Sequence, residues 1–187
     1  MSNSHTSAPL NCLHKPLSVL GLALWILLPT NLNATAKEYQ IKAAFIYNFT
    51  KFVKWPEPDF TTSNAPIVIG YITNNPFGPE LENTLRGRTL HSRPFVCRHI
   101  ENAYEAKQVH VLFISLDNPH YNQALLQQLG SAPVLTIAED EGFVKSGGMI
   151  EFFLEKGKVR FNLNMPAAKR AGLSINARLQ ALARKPN

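Results

Sequence analysis

Cysteine is scarce in this 187-residue chain, which has only Cys12 and Cys97, so a disulfide-stapled scaffold is excluded. There is no G-x-S-x-G, H-E-x-x-H, G-x-x-x-x-G-K-[ST] or G-x-G-x-x-G string, which removes support for the enzyme classes those motifs announce. No apolar run reaches the about 20 residues of a membrane-spanning helix; the mostly apolar stretch Leu17 to Leu28 has twelve. Charge is neither dense nor strongly one-sided, with 19 Lys+Arg against 13 Asp+Glu and 45% hydrophobic residues. That composition is ordinary for a globular protein and excludes disordered and collagen-like chains.

What is present begins with an export signal. A weakly basic start (His14, Lys15) leads into the apolar stretch, a break at Pro29 and then Ala34-Thr35-Ala36, the small-x-small pattern a signal peptidase accepts. Residues 1–36 are therefore expected to be a secretory signal peptide cleaved after Ala36. Cys12 precedes the apolar run, where a lipid-attachment cysteine would have to follow it. The expected mature chain, residues 37–187, has 151 residues and a net charge of +5, since Lys15 is the one charge lost. A chain of this length buries enough surface for one self-sufficient core. Cys97 remains as a lone thiol, either buried or available for an intermolecular bridge; its neighbours Phe95, Val96 and Arg98 suit a strand and favour burial.

Along residues 37–187 the hydrophobic period alternates between helix-like and strand-like. Ile41, Phe45, Phe49, Phe52 and Val53 share one face of a helix expected over Tyr39 to Trp55, closed by Pro56, with Lys42, Lys51 and Lys54 on other faces. Strands are expected at Pro66–Thr73, between Thr89 and Ile100 with Pro94 marking an edge or a break, at His110–Leu116 and at Ala132–Ala138. Helices are expected at Pro79–Leu85 and Tyr121–Leu129, the latter started by Asp117-Asn118-Pro119 and ended by Gly130. After Gly147-Gly148, Ile150, Phe152 and Leu154 alternate with Glu151 and Glu155, and Val159, Phe161 and Leu163 with Arg160, Asn162 and Asn164, around a Lys156-Gly157 turn, which predicts an antiparallel hairpin at the sheet edge. A helical turn at Ala167–Ala171 and a last helix capped by Ser174 and carrying Ile175, Leu179 and Leu182 follow. The expected fold is α/β: a single three-layer domain with a largely parallel central sheet, helices on both faces and an antiparallel C-terminal hairpin at the sheet edge.

Candidate chemistry is thin. His91, His99, His110 and His120 lack metal-ligand spacing. Glu139-Asp140-Glu141 follows the fourth strand, where open α/β sheets bind ligands; an acidic first turn of a following helix accounts for the same residues. Arg86, Arg88, Arg93 and Arg98 concentrate positive charge, read as a solvated face or a surface for acidic protein or head groups, with nucleic acid excluded by export.

The string Ile41-Lys42-Ala43-Ala44-Phe45-Ile46-Tyr47-Asn48-Phe49-Thr50-Lys51-Phe52-Val53-Lys54-Trp55-Pro56 closely resembles the opening signature of the YfiR-like family of bacterial periplasmic regulators. Matches continue in order through Asn75-Pro76-Phe77-Gly78, His110 to Ser115, Pro133 to Ile137, Gly142-Phe143, Gly147-Gly148-Met149-Ile150, Val159-Arg160-Phe161-Asn162 and Ala171 to Ile175, with Leu179 and Leu182-Ala183 completing them. The resemblance implies a non-catalytic periplasmic binding protein, without a cofactor or metal, that represses an inner-membrane diguanylate cyclase through its periplasmic sensor region. It lowers cyclic di-GMP and biofilm formation, and an outer-membrane peptidoglycan-binding lipoprotein can sequester it. A homodimer is a further possible assembly. Expected partner-binding residues are Tyr47, Lys51 and Trp55 on the first helix and Phe153, Arg160 and Asn162 on the hairpin's outer face. The alternative is a periplasmic small-ligand sensor or carrier with its pocket near Asn74, Asn75, Asp117 and Glu139 to Glu141. Family members often carry a cysteine at the position of Val109, able to pair with one at Cys97; here that bridge cannot form.

Overall fold

Alternation of apolar side chains along each strand shares the sheet between two packed layers. The computed structural model describes residues 31–56, 62, 64–72, 75–115 and 118–184. In chain order these form α1 (Asn31–Phe52), β1 (Val53–Lys54), β2 (Ile67–Ile72), α2 (Glu80–Leu85), β3 (Thr89–Leu90), β4 (Arg93–Ile100), α3 (Ala103–Ala106) and β5 (Val111–Ile114). There follow α4 (Pro119–Leu129), β6 (Leu135–Ala138), β7 (Ile150–Glu155), β8 (Lys158–Leu163), α5 (Met165–Arg170), β9 (Ser174–Ile175) and α6 (Ala177–Leu182). Among the described residues no helix is long and apolar enough to cross a membrane.

Seven strands form one sheet in the order β3-β4-β2-β5-β6-β7-β8. The inner five are parallel, and β3 and β8 run antiparallel at the two edges. Numbered in chain order, the parallel strands lie 2-1-3-4-5, the flavodoxin-like winding. Ile69, Val111, Phe113, Leu135 and Ile137 pack against α1, α2, α5 and α6, whereas Ile72, Leu112, Ile114 and Ala138 pack against α3 and α4. The three-layer α/β fold and the edge hairpin are thus as the periodicity predicts.

The larger layer is aromatic. Phe49 stacks on Phe152 at 5.7 Å and meets Phe161 edge-on at 4.9 Å, while Phe45 reaches both rings from one turn earlier. Such pairs contribute about 0.5–1.5 kcal/mol each beyond the area they bury, so the helix stripe pins α1 to the hairpin.

Several elements differ from the sequence-based expectation. α1 stops at Phe52, three residues early, because Val53 and Lys54 pair with Ile175 and Ser174. Ser174 is therefore strand, and Asn176 caps α6 by accepting from the Arg178 N–H at 2.8 Å. Lys42, assigned to an outer face, is 2% exposed. The segment around Pro94 has both features its proline suggested: β4 has only the two-residue β3 outside it, and the chain breaks between them at His91 and Ser92, both with positive φ. The four-residue helix α3, capped by Asn102, has too little periodicity to read from sequence. α1 already runs through the expected cleavage position after Ala36, while residues 1–30, most of the expected signal, lie outside the described residues.

Candidate functional site

The β6–β7 connection determines which part of the sheet is left open. A parallel pair is usually joined by a crossover helix; here residues 139–149 make turns instead. Phe143 from this loop plugs the α3/α4 core, and the Val144 N–H donates to Glu151 Oε2 at 3.1 Å. Among the described residues no helix packs against the adjacent hairpin on that side. On that side Phe153 and Glu155 from β7 stand opposite Arg160 and Lys158 from β8, with Asn162 opposite the buried Glu151 at the inner end of the face. Phe153, Arg160 and Asn162 therefore share one surface, with Phe153 and Arg160 directly paired across the hairpin. Asn162 Nδ2 donates to Glu151 Oε1 at 3.1 Å, and Arg160 lies 3.8 Å from Glu155. Arg184, arriving from the end of α6, lies over the Phe153 ring at 5.2 Å.

Beside this face a cleft of about 670 Å³ is lined by Glu139, Glu141, Lys145, Glu151, Phe153 and Arg184, among others. Glu139 and Asp140 do not open a helix, so the dipole explanation of the acidic triplet fails. Glu139 instead accepts from Lys42 Nζ at 2.6 Å and from the Tyr39 hydroxyl at 3.4 Å, and Lys42 is also paired with Glu38. Asp140 accepts from Asn122 of α4. The second oxygen of Glu139 is buried without a partner among the described residues. Burial, followed by the charges of Glu139 and Glu38, pushes the Tyr39 phenol up to about 12.

Tyr47, Lys51 and Trp55 are not part of this surface. Tyr47 packs edge-on against Phe95 of β4 at 5.5 Å, between the cations of Lys51 and Arg88. Burial acts to raise its phenol, but Arg88 and Lys51 together lower it below its ordinary value. β4 and β7 are four strand spacings apart, about 19 Å, and Tyr47 belongs to the opposite layer from Phe153. Trp55 lies just past the C-terminal end of α1 and of β1, donating to the His110 carbonyl at 3.1 Å. The six expected contact residues therefore fall in three places. Of the alternative pocket, Asn74 and Asp117 lie outside the described residues. Asn75 is committed to its own turn, accepting from the Phe77 N–H and donating to the Gly78 carbonyl. The arginine cluster is also dispersed: Arg93 bonds the Thr62 and Ala65 carbonyls, and Arg98 the Gln108 carbonyl.

Cys97 is half-buried beside Ile69, and burial, with a smaller contribution from Glu82, pushes its thiol up to about 12. It packs on the α1/α2 layer, Val109 on the other. β2 lies between β4 and β5, a separation of about 10 Å, beyond the about 7 Å that a disulfide spans between Cα atoms. The bridge implied by the resemblance therefore does not fit these two positions.

A single three-layer α/β domain with a mostly parallel sheet and an antiparallel edge hairpin is the class that the fold defines. The chain belongs to the YfiR/HmsC-like family, whose model matches residues 39–184. A crystal structure of a conserved domain protein from Vibrio cholerae shares the fold, with a TM-score of 0.50 at 13% identity over 78% of this chain. This chain spans 58% of that one. No curated protein matches.

Proposed function

We propose that the chain is exported and acts in the periplasm as a regulatory binding protein. It represses an inner-membrane diguanylate cyclase through the enzyme's periplasmic sensor region, which lowers cyclic di-GMP and biofilm formation, and an outer-membrane peptidoglycan-binding lipoprotein relieves the repression. The reading rests on family membership across residues 39–184; the observation that carries it here is the helix-free hairpin face of Phe153, Arg160 and Asn162. An aromatic ring ringed by paired polar groups is the anatomy of a recognition surface. Repression requires tighter binding to the cyclase's inactive conformation than to its active one. Tyr47, Lys51 and Trp55 belong to separate surfaces and are proposed only as secondary contacts.

Deleting the gene should raise cyclic di-GMP, and a chain carrying Phe153→Ala with Arg160→Glu should fail to restore it while folding normally. Unchanged cyclic di-GMP under several envelope stresses would exclude this role. The cleft beside Glu139 favours a second reading, a small-ligand sensor, for which a melting temperature rising with metabolite concentration is the expected sign.

A further inference from the structure

The hairpin's outer edge is occupied by the chain's own C-terminal segment. α6 ends at Leu182, and Ala183 turns to extended backbone. The Arg184 N–H then donates to the Phe161 carbonyl at 2.9 Å. In an antiparallel pair the backbone groups of successive residues point alternately toward and away from the partner strand. Asn164, of the opposite parity, donates toward β7 at the Met149 carbonyl, so Val159, Phe161 and Leu163 direct theirs to the outer edge. Arg184 thus makes the kind of hydrogen bond that an added strand would make. Its guanidinium lies over Phe153 and lines the cleft with Glu139, Glu141 and Glu151. Were Arg184 to leave, Lys145 would be the one cation among the described lining residues against Glu139, Glu141 and Glu151; of these, Glu139 is paired with Lys42 from outside the lining, whereas Glu141 pairs with no cation among the described residues.

We propose that Arg184 and the backbone beside it are a built-in occupant of the docking edge, displaced by an extended partner segment that adds to β8 and places a basic side chain over Phe153. The proposal rests on the hairpin face being the recognition surface. The main-chain bond gives the strand-addition geometry, and the carboxylates select the sign of charge. The occupant lowers the apparent affinity of any such partner to the fraction of time that the edge is free.

The test compares the full chain, Arg184→Ala and a chain ending at Ala183. Each is titrated with a blocked seven-residue peptide of alternating threonine and valine bearing a central arginine, and with its glutamate counterpart, and binding is followed by amide chemical shifts. The arginine peptide should bind the two variants about tenfold more tightly than the full chain, with shifts centred on Phe153 and Phe161, and the glutamate peptide should not bind. Equal affinity for full chain and Arg184→Ala, equal binding of both peptides, or shifts away from β8 would overturn the proposal. Arg184→Ala leaves α6 intact and serves if the shortened chain does not fold. The regulatory reading fails separately, on cyclic di-GMP in cells: tighter peptide binding with unaltered cyclic di-GMP after gene deletion leaves the docking edge standing and removes the cyclase.

Discussion

Lys42 Nζ lies 2.6 Å from Glu139 Oε2, joining residues 97 positions apart. The pair anchors the middle of α1 to the end of β6, and the β1–β9 pairing anchors the helix at its C-terminal end. The bottom of the acidic cleft is therefore also the attachment point of the longest helix.

Loss of the two partners should cost unequal amounts. Lys42 is the more buried member, with a side chain 3% exposed, whereas the Glu139 side chain is 29% exposed although its second oxygen is buried. Glu139→Leu leaves a buried ammonium with Glu38 alone and should cost about 3 kcal/mol, while Lys42→Met should cost about 1 kcal/mol. Urea unfolding of both variants and of the double variant measures this; the double variant should be more stable than Glu139→Leu alone. Equal losses from the single changes would mean that the lysine is not the desolvated partner.

His110 makes the fold acid-sensitive. Its Nδ1 accepts from the Val68 N–H at 3.0 Å, which requires an unprotonated nitrogen, and burial, then the charge of Arg93, lowers its pKa to about 4. An unfolded histidine takes its proton near 6.5, so the unfolded state binds more protons across the interval between these values. Stability should be full above pH 6.5 and fall by about 3 kcal/mol as the pH drops to 4. His110→Gln should be less stable at neutral pH yet lose less over the same interval. A wild-type stability that stays flat from pH 6.5 to 4 would contradict the assignment.

The parts of the fold visible in the sequence were those with local causes. β2, β5 and β6 are short uncharged runs, the hairpin alternates apart from Phe153, and Asn118-Pro119 and Gly130 bracket α4 with ordinary cap chemistry. Phe153, Arg160 and Asn162 could be placed on one face because strand parity is local. Interactions between distant segments were not visible. Ser174 is a good helix cap by type, but pairing with Lys54 overrides that preference. Lys42 reads as solvent-facing until Glu139 is known to reach it. The acidic triplet resembles a helix start, and only the absence of the helix shows that two of its members hold α1 and α4.

Cys97 should behave as an inert thiol. With its pKa raised to about 12, it carries almost no thiolate at neutral pH, so thiol-reactive reagents should modify the native chain far more slowly than the unfolded one. Introducing Val109→Cys into residues 37–187 should yield two free thiols and no internal bridge on a non-reducing gel, because the two positions occupy opposite layers. Rapid oxidation to a monomeric cross-linked species would show that β4 and β5 approach more closely than the sheet order allows.

The Gly147-Gly148 pair gives the loop beside the hairpin its shape, and Gly148 is there for space. A Cβ on Gly148 would lie 2.1 Å from Cε1 of Phe143, and that ring is 2% exposed in the α3/α4 core. Neither side can yield easily, because the Gly148 N–H also donates to the Phe143 carbonyl at 2.9 Å. Gly148→Ala should therefore cost about 2–3 kcal/mol. At Gly142 a Cβ meets nothing within 4 Å and only the φ of +83° is strained, so Gly142→Ala should cost about 1 kcal/mol. Phe143→Leu shortens the ring that causes the clash, and combined with Gly148→Ala it should destabilise by clearly less than the sum of the two changes measured alone. Denaturant midpoints at unchanged m-value decide the matter, and strict additivity would mean that the two residues do not compete for the same space. The functional consequence runs through Val144, whose N–H holds Glu151 under the hairpin face. If Gly148→Ala displaces that loop, peptide binding at Phe153 should weaken even where the chain stays folded.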